Sequence, residues 1–134
     1  MTSERFEQRR QDLGRATRRL SEIASLPFDD VVRDAAIQRF EFTFELVWKT
    51  LKLWLDHHGL DAATPRDVLK KAFASGLIQT PEEAEIWLRM LADRNFAAHV
   101  YSERLADETY RRIVADYVPR LCEMGVRIRG LSWK

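Results

Sequence analysis

Ile37-Gln38-Arg39-Phe40-Glu41-Phe42-Thr43-Phe44-Glu45-Leu46-Val47-Trp48-Lys49-Thr50-Leu51-Lys52-Leu53-Trp54 is the stretch that decides the fold. Ile37, Phe40, Phe44, Val47, Leu51 and Trp54 recur three and four residues apart, the period of one face of an α-helix. Ala35, Phe42, Leu46 and Leu53 make a second apolar line. A helix from Asp29 to His58 that carries both lines must bury both. Either one faces the core and the other a second copy of the chain, or both pack on neighbours within one chain. His57 and His58 precede Gly59, a natural C-terminal cap, where histidines interact favourably with the helix dipole. They read as structural, with no further ligands for a metal.

Working outward, amphipathic helices lie on both sides. Phe6, Leu13 and Leu20 repeat at heptad spacing with Ala16 and Ile23 nearby, which gives a helix from about Thr2 to Ala24 with an arginine-rich outer face. Leu26-Pro27 ends it. Thr64-Pro65-Arg66-Asp67 is a helix start, with a hydroxyl cap, proline at the first position and an acid three residues after the cap. That short helix stops at Gly76. Thr80-Pro81-Glu82-Glu83 repeats the same logic and opens a helix with Ala84, Trp87, Leu88 and Leu91 on one face. The last helix, about Glu103 to Arg127, has Tyr110, Ile113, Val114, Tyr117, Leu121 and Met124 as its apolar side, and Pro119 is expected to bend it. Trp133 lies in a short tail that can fold back or pack on a neighbour. No stretch has the period of a strand. The expected fold is all-α, an antiparallel four-helix bundle with one extra short helix, and residues 1–134 form a single domain.

The composition bounds the function. Apolar residues at 46% and charged residues at 32% describe an ordinary globular chain of 134 residues. One cysteine, Cys122, excludes an internal disulfide, and a reducing cytoplasm is the expected location. No run has the length of a membrane span. The net charge of +1 excludes a broad basic surface for nucleic acid, so any RNA contact has to be local. There is no glycine-rich phosphate loop and no cluster of His, Cys or carboxylate ligands, which argues against a kinase, a dinucleotide enzyme or a metal hydrolase. No cofactor is expected.

Chemistry concentrates in Arg94-Asn95-Phe96-Ala97-Ala98-His99-Val100-Tyr101, between two long helical patterns. Arginine is permanently cationic and can grip a phosphate with two parallel hydrogen bonds. Histidine is suited to proton transfer near neutral pH. The two suffice for phosphoryl chemistry without a metal. Arg94 and His99 are about 140° apart on a straight α-helix, whereas Asn95 and His99 share a face. If the helix ends near Ala98, His99 can swing towards Arg94. The plainer reading pairs Arg94 with Asp93, Glu103 or another acid and makes Tyr101 a core anchor.

Arg94-Asn95, three residues, His99, one residue and Tyr101 resemble the Arg-x4-His-x-Tyr signature of HEPN-domain proteins. The resemblance is closest to the HepT-like family, also called nucleotidyltransferase substrate-binding proteins. Residues 38–52, Thr64 to Phe73 with Gly76-Leu77-Ile78, and Trp87 to Asn95 resemble that family's helices, and the likeness runs from about Phe6 to Tyr117. Ala98 departs from the small hydroxyl residue often found there, which removes a possible hydrogen bond. The resemblance implies a metal-independent RNase toxin of a toxin–antitoxin pair. In it Arg94 would hold the scissile phosphate, His99 would act as general acid and base, and Asn95 would orient His99 or the phosphate. Two copies would meet to form one site, so a homodimer acting on RNA is implied. A cognate minimal nucleotidyltransferase, the antitoxin, would silence it by AMPylating Tyr101. The alternative is a non-catalytic substrate-binding or regulatory subunit of a nucleotidyltransferase.

Overall fold

The long second helix is the axis on which the other elements pack. The computed structural model describes residues 3–97 and 102–134. Among the described residues the elements in order are α1 (Ser3–Ala24), α2 (Asp30–His57), α3 (Pro65–Ala74), α4 (Pro81–Ala97), α5 (Glu103–Arg112), a π-helical turn (Ile113–Tyr117) and α6 (Val118–Arg129). The described residues contain no strand. α5, the π turn and α6 run on as the fourth long helix, and α3 is the extra short one.

Local chemistry sets the ends. The Asp29 carboxylate accepts the Val32 N–H at 2.7 Å, the Thr64 hydroxyl that of Asp67 at 3.2 Å, and the Thr80 hydroxyl that of Glu83 at 3.1 Å. Each satisfies a donor that a helix start leaves unpaired. Gly59 at φ +77° and Gly76 at φ +88° supply the left-handed residues that close α2 and α3.

α2 buries its principal line. Phe40, Phe44, Val47 and Leu51 have no exposed surface, and Leu55 joins them. Burial of each such side chain contributes about 2 kcal/mol. The Thr43 and Thr50 hydroxyls, also buried, donate to the Arg39 and Leu46 carbonyls at 2.6 Å, so no polar group is stranded on that face. α1 runs antiparallel to α6, with Arg10 reaching Arg129 and Ser21 beside Cys122. α4 also runs antiparallel to that helix, from Glu83–Arg127 at one end to Asp93–Arg112 at the other. Arg33, 2% exposed, joins α2 to α5 by donating to Asp34 at 2.9 Å and Asp107 at 3.0 Å. This is the antiparallel four-helix bundle that the periodicity implies.

The bend expected at Pro119 takes the form of the π turn. Proline has no N–H to give the carbonyl four residues back, and its ring crowds that turn. The wider turn just before it absorbs the misfit. Val114, expected in the core, is exposed within this turn, whereas Ile113, Tyr117, Leu121 and Met124 are buried as expected. The tail folds back. Trp133 stacks on His57 with ring centroids 3.9 Å apart and lies against Phe6 at 5.0 Å. The Trp54 indole N–H donates to the Ser132 carbonyl at 2.9 Å.

Candidate functional site

Arg94 stands in the last turn of α4, its side chain 35% exposed. Its guanidinium pairs with the Glu45 carboxylate of α2 and donates to Asn95 Oδ1 at 3.2 Å. The partner is therefore neither Asp93 nor Glu103. Asp93 instead belongs to Arg112, and Glu103 lies 3.8 Å from Arg33. His99 and Tyr101 lie outside the described residues, as does Ala98. The chain leaves α4 at Ala97 and enters α5 at Glu103, where the Ser102 hydroxyl accepts the Leu105 N–H at 3.4 Å.

α2 presents an acidic edge to this point. Glu41 and Glu45, one turn apart, both face Arg94, and Lys49 lies 3.6 Å from Glu45. Burial pushes the Glu41 carboxyl above the usual range, and the Arg94 charge offsets this only in part. Arg94 can thus offer its fork to an incoming phosphate only by exchanging one anion, Glu45, for another. On the far side of α4, Asp93 accepts hydrogen bonds from Arg112 and Tyr117. Burial and the bond to Asp93 raise the Tyr117 phenol, which stays a neutral donor.

Sequence reasoning misses Glu41, Glu45, Asp93, Arg112 and Tyr117 as residues of the site. The one available signal is the pair of glutamates set into the apolar run Phe40–Leu46. An acid at those positions has to meet a cation or water along a packed helix. Among the described residues there is no group of three or more His, Cys, Asp or Glu placed to hold a metal ion. His57 and His58 serve the tail and the end of α2, with His58 Nδ1 2.8 Å from the Trp54 carbonyl.

The second apolar line of α2 is covered unevenly, with Leu46 and Leu53 half-buried against the core. Phe42 is 63% exposed. With Ala35 and Leu46 it floors a groove of about 590 Å³ against α1, rimmed by Arg15, Arg19 and Arg39. Among the described residues no helix is long and apolar enough to cross a membrane.

A crystal structure of a protein from Thermus thermophilus superposes with a TM-score of 0.80 at 40% identity, covering 87% of this chain and 98% of that one. A spliceosome associated factor 3, U4/U6 recycling protein, from Danio rerio is 38% identical over 65 residues, 46% of this chain. That segment spans 7% of the zebrafish protein's length. The family model described as nucleotidyltransferase substrate binding protein like matches residues 5–129, nearly the whole bundle, and the chain belongs to that family.

Proposed function

We propose that this chain is the helical binding partner of a nucleotidyltransferase, and that the segment from Arg94 to Tyr101 is the part it presents to that enzyme. The family match over residues 5–129 carries this reading. Tyr101, between α4 and α5, is the acceptor. Its hydroxyl oxygen attacks the α-phosphorus of ATP, AMP is joined to the tyrosine, and pyrophosphate leaves. The product puts a negative charge and a nucleotide's bulk on the motif segment, seven residues after Arg94 in sequence.

A second reading is favoured by the placement of Arg94, a partly exposed guanidinium at a helix end five residues before a histidine. Here the chain is a HEPN-type, metal-independent RNase toxin. His99 takes the proton from a ribose 2′-hydroxyl, the oxygen attacks the adjacent phosphorus, and the 5′-oxygen leaves with a proton from a histidine. Arg94 holds the phosphate and stabilises the charge that develops on it. Asn95, which accepts from Arg94, keeps that fork oriented. Two copies packed through the Phe42 line supply the pair of histidines, and AMP on Tyr101 excludes RNA.

The two readings separate in one experiment. Purified protein and its His99→Ala variant are incubated with transfer RNA in EDTA, and the intact mass is read before and after treatment with a minimal nucleotidyltransferase and ATP. Mass gain in AMP steps, lost in Tyr101→Phe, supports the partner reading, and no gain refutes it. Cleavage by unmodified wild type alone supports the nuclease. Its absence from a protein free of AMP removes the nuclease.

A further inference from the structure

The residue before Arg94 is held more firmly than Arg94 itself. The Asp93 side chain is 14% exposed. Its carboxylate accepts two parallel hydrogen bonds from Arg112, Nε to Oδ2 at 2.8 Å and Nη2 to Oδ1 at 3.0 Å. A third comes from the Tyr117 hydroxyl at 2.5 Å. Arg112 also donates to the Thr109 hydroxyl at 3.3 Å. The Tyr117 ring is fully buried and stacks on Phe40 of α2, with centroids 5.2 Å apart and planes 24° from parallel. A bidentate arginine fork with a buried third donor is a geometry that tolerates little movement.

The π turn makes this convergence possible. Arg112 and Tyr117 are five residues apart, and on a regular α-helix their side chains would diverge by about 140°. The Val118 N–H instead bonds the Ile113 carbonyl, five residues back. The added residue brings positions 112 and 117 to one face, so both reach one carboxylate. Pro119, with no N–H to give a regular turn, removes one of the bonds that regular winding would recover.

Among the described residues Arg94 is tied to Asn95 and to Glu45 in a half-exposed pair, a kind of contact that constrains weakly. Among the described residues Asp93 makes the most constrained side-chain contact at this end of α4. The same contact ties the end of α4 to the far end of α5, where Arg112 is the last residue.

We propose that Asp93, Arg112 and Tyr117 are positioning residues that set the direction from which Arg94 meets an RNA phosphate. They touch no substrate. The proposal rests on the nuclease reading, and its test separates the two. Tyr117→Phe keeps the ring and deletes one donor. Asp93→Asn keeps the shape and deletes the charge. Phe6→Leu, beside Trp133 and away from the network, serves as a control for loss of thermal stability. The readouts are kcat and KM for RNA cleavage and the Arg94 Nε–H resonance, assigned by its loss in Arg94→Lys.

In both network variants kcat is expected to fall about tenfold, the scale of a small misplacement of a catalytic group. KM should change little and the Arg94 resonance should move, whereas Phe6→Leu does neither. Network variants that match the control in both readouts overturn the proposal. If the wild type does not cleave, the nuclease reading falls and the resonance alone decides: movement supports the positioning role, and an unmoved signal refutes it.

Discussion

Glu45 of α2 and Arg94 of α4 form an ion pair across forty-nine residues of sequence. Both side chains are part exposed, so the pair contributes less than about 1 kcal/mol to stability. Its consequence lies in binding, because an anion has to displace the carboxylate to reach the guanidinium. Glu45→Gln is expected to leave the melting temperature within a few degrees and to tighten binding of a non-cleavable 2′-deoxy oligonucleotide severalfold. Arg94→Lys should weaken it. Fluorescence anisotropy reads both. Unchanged affinity in Glu45→Gln would show that Arg94 is not the anion's partner.

Phe42 is the exposed centre of the second apolar line on α2. An antiparallel two-fold pairing centred on it opposes Val31 with Leu53 and sets Arg39 of one copy against Glu45 of the other, a complementary arrangement. Phe42→Asp places a charge at that centre. Light scattering at micromolar concentration is expected to give a dimer for wild type and a monomer for the variant. Stability of the single chain should shift by no more than about 0.5 kcal/mol, since the site is on the surface. A wild-type monomer would remove the shared-site mechanism.

The helices were legible because their causes are local. Phe40, Phe44, Val47 and Leu51 show the period of a buried face, and Thr64, Thr80 and Gly59 act within four residues of themselves. In the last helix the burial of Tyr110, Ile113, Tyr117, Leu121 and Met124 was legible, and the π turn was not. Val114, which the same periodicity puts inside, lies in that turn and is exposed. The site was legible only in part. Arg94 and Asn95 stand together in space as in sequence, but Glu45 and Arg112 reach Arg94 and Asp93 from other helices. A charge pair between distant segments leaves no periodic trace. Arg33 is a further case, an arginine in the core of α2 whose carboxylate Asp107 is seventy-four residues away.

Trp133 closes the end of the bundle where α1 begins and α2 stops. Its ring covers Phe6 and His57, and Arg10 fixes the preceding backbone by donating to the Arg129 carbonyl at 2.9 Å and that of Leu131 at 3.1 Å. Trp133→Ala is expected to cost about 1–2 kcal/mol through lost aromatic packing and renewed exposure of Phe6. Urea unfolding measures it. A midpoint identical to wild type would mean that the tail is not docked in solution.

Two carboxylates are pushed in opposite directions and so predict opposite pH responses. Burial raises Glu41, and Arg94 offsets this only in part. Its folded value lies above its unfolded one, so the ionised group works against folding at neutral pH, and that cost disappears as the pH falls below the unfolded value. Burial also opposes ionisation of Glu83, but hydrogen bonds from the Gln79 N–H, Arg127 and Trp87 outweigh it and hold the carboxyl low. Its contribution is complete above the unfolded value and is lost as the pH falls through the folded one. Glu41→Gln should therefore raise the melting temperature near neutral pH, with the gain fading in acid. Glu83→Gln should lower stability near neutral pH by about 2 kcal/mol, since it weakens bonds to a buried acceptor. That deficit should narrow as acid neutralises the wild-type group. Thermal unfolding from neutral pH down to the carboxylate range gives both curves. Deficits of the same sign in the two variants at neutral pH would contradict the environments that α2 and α4 give these side chains.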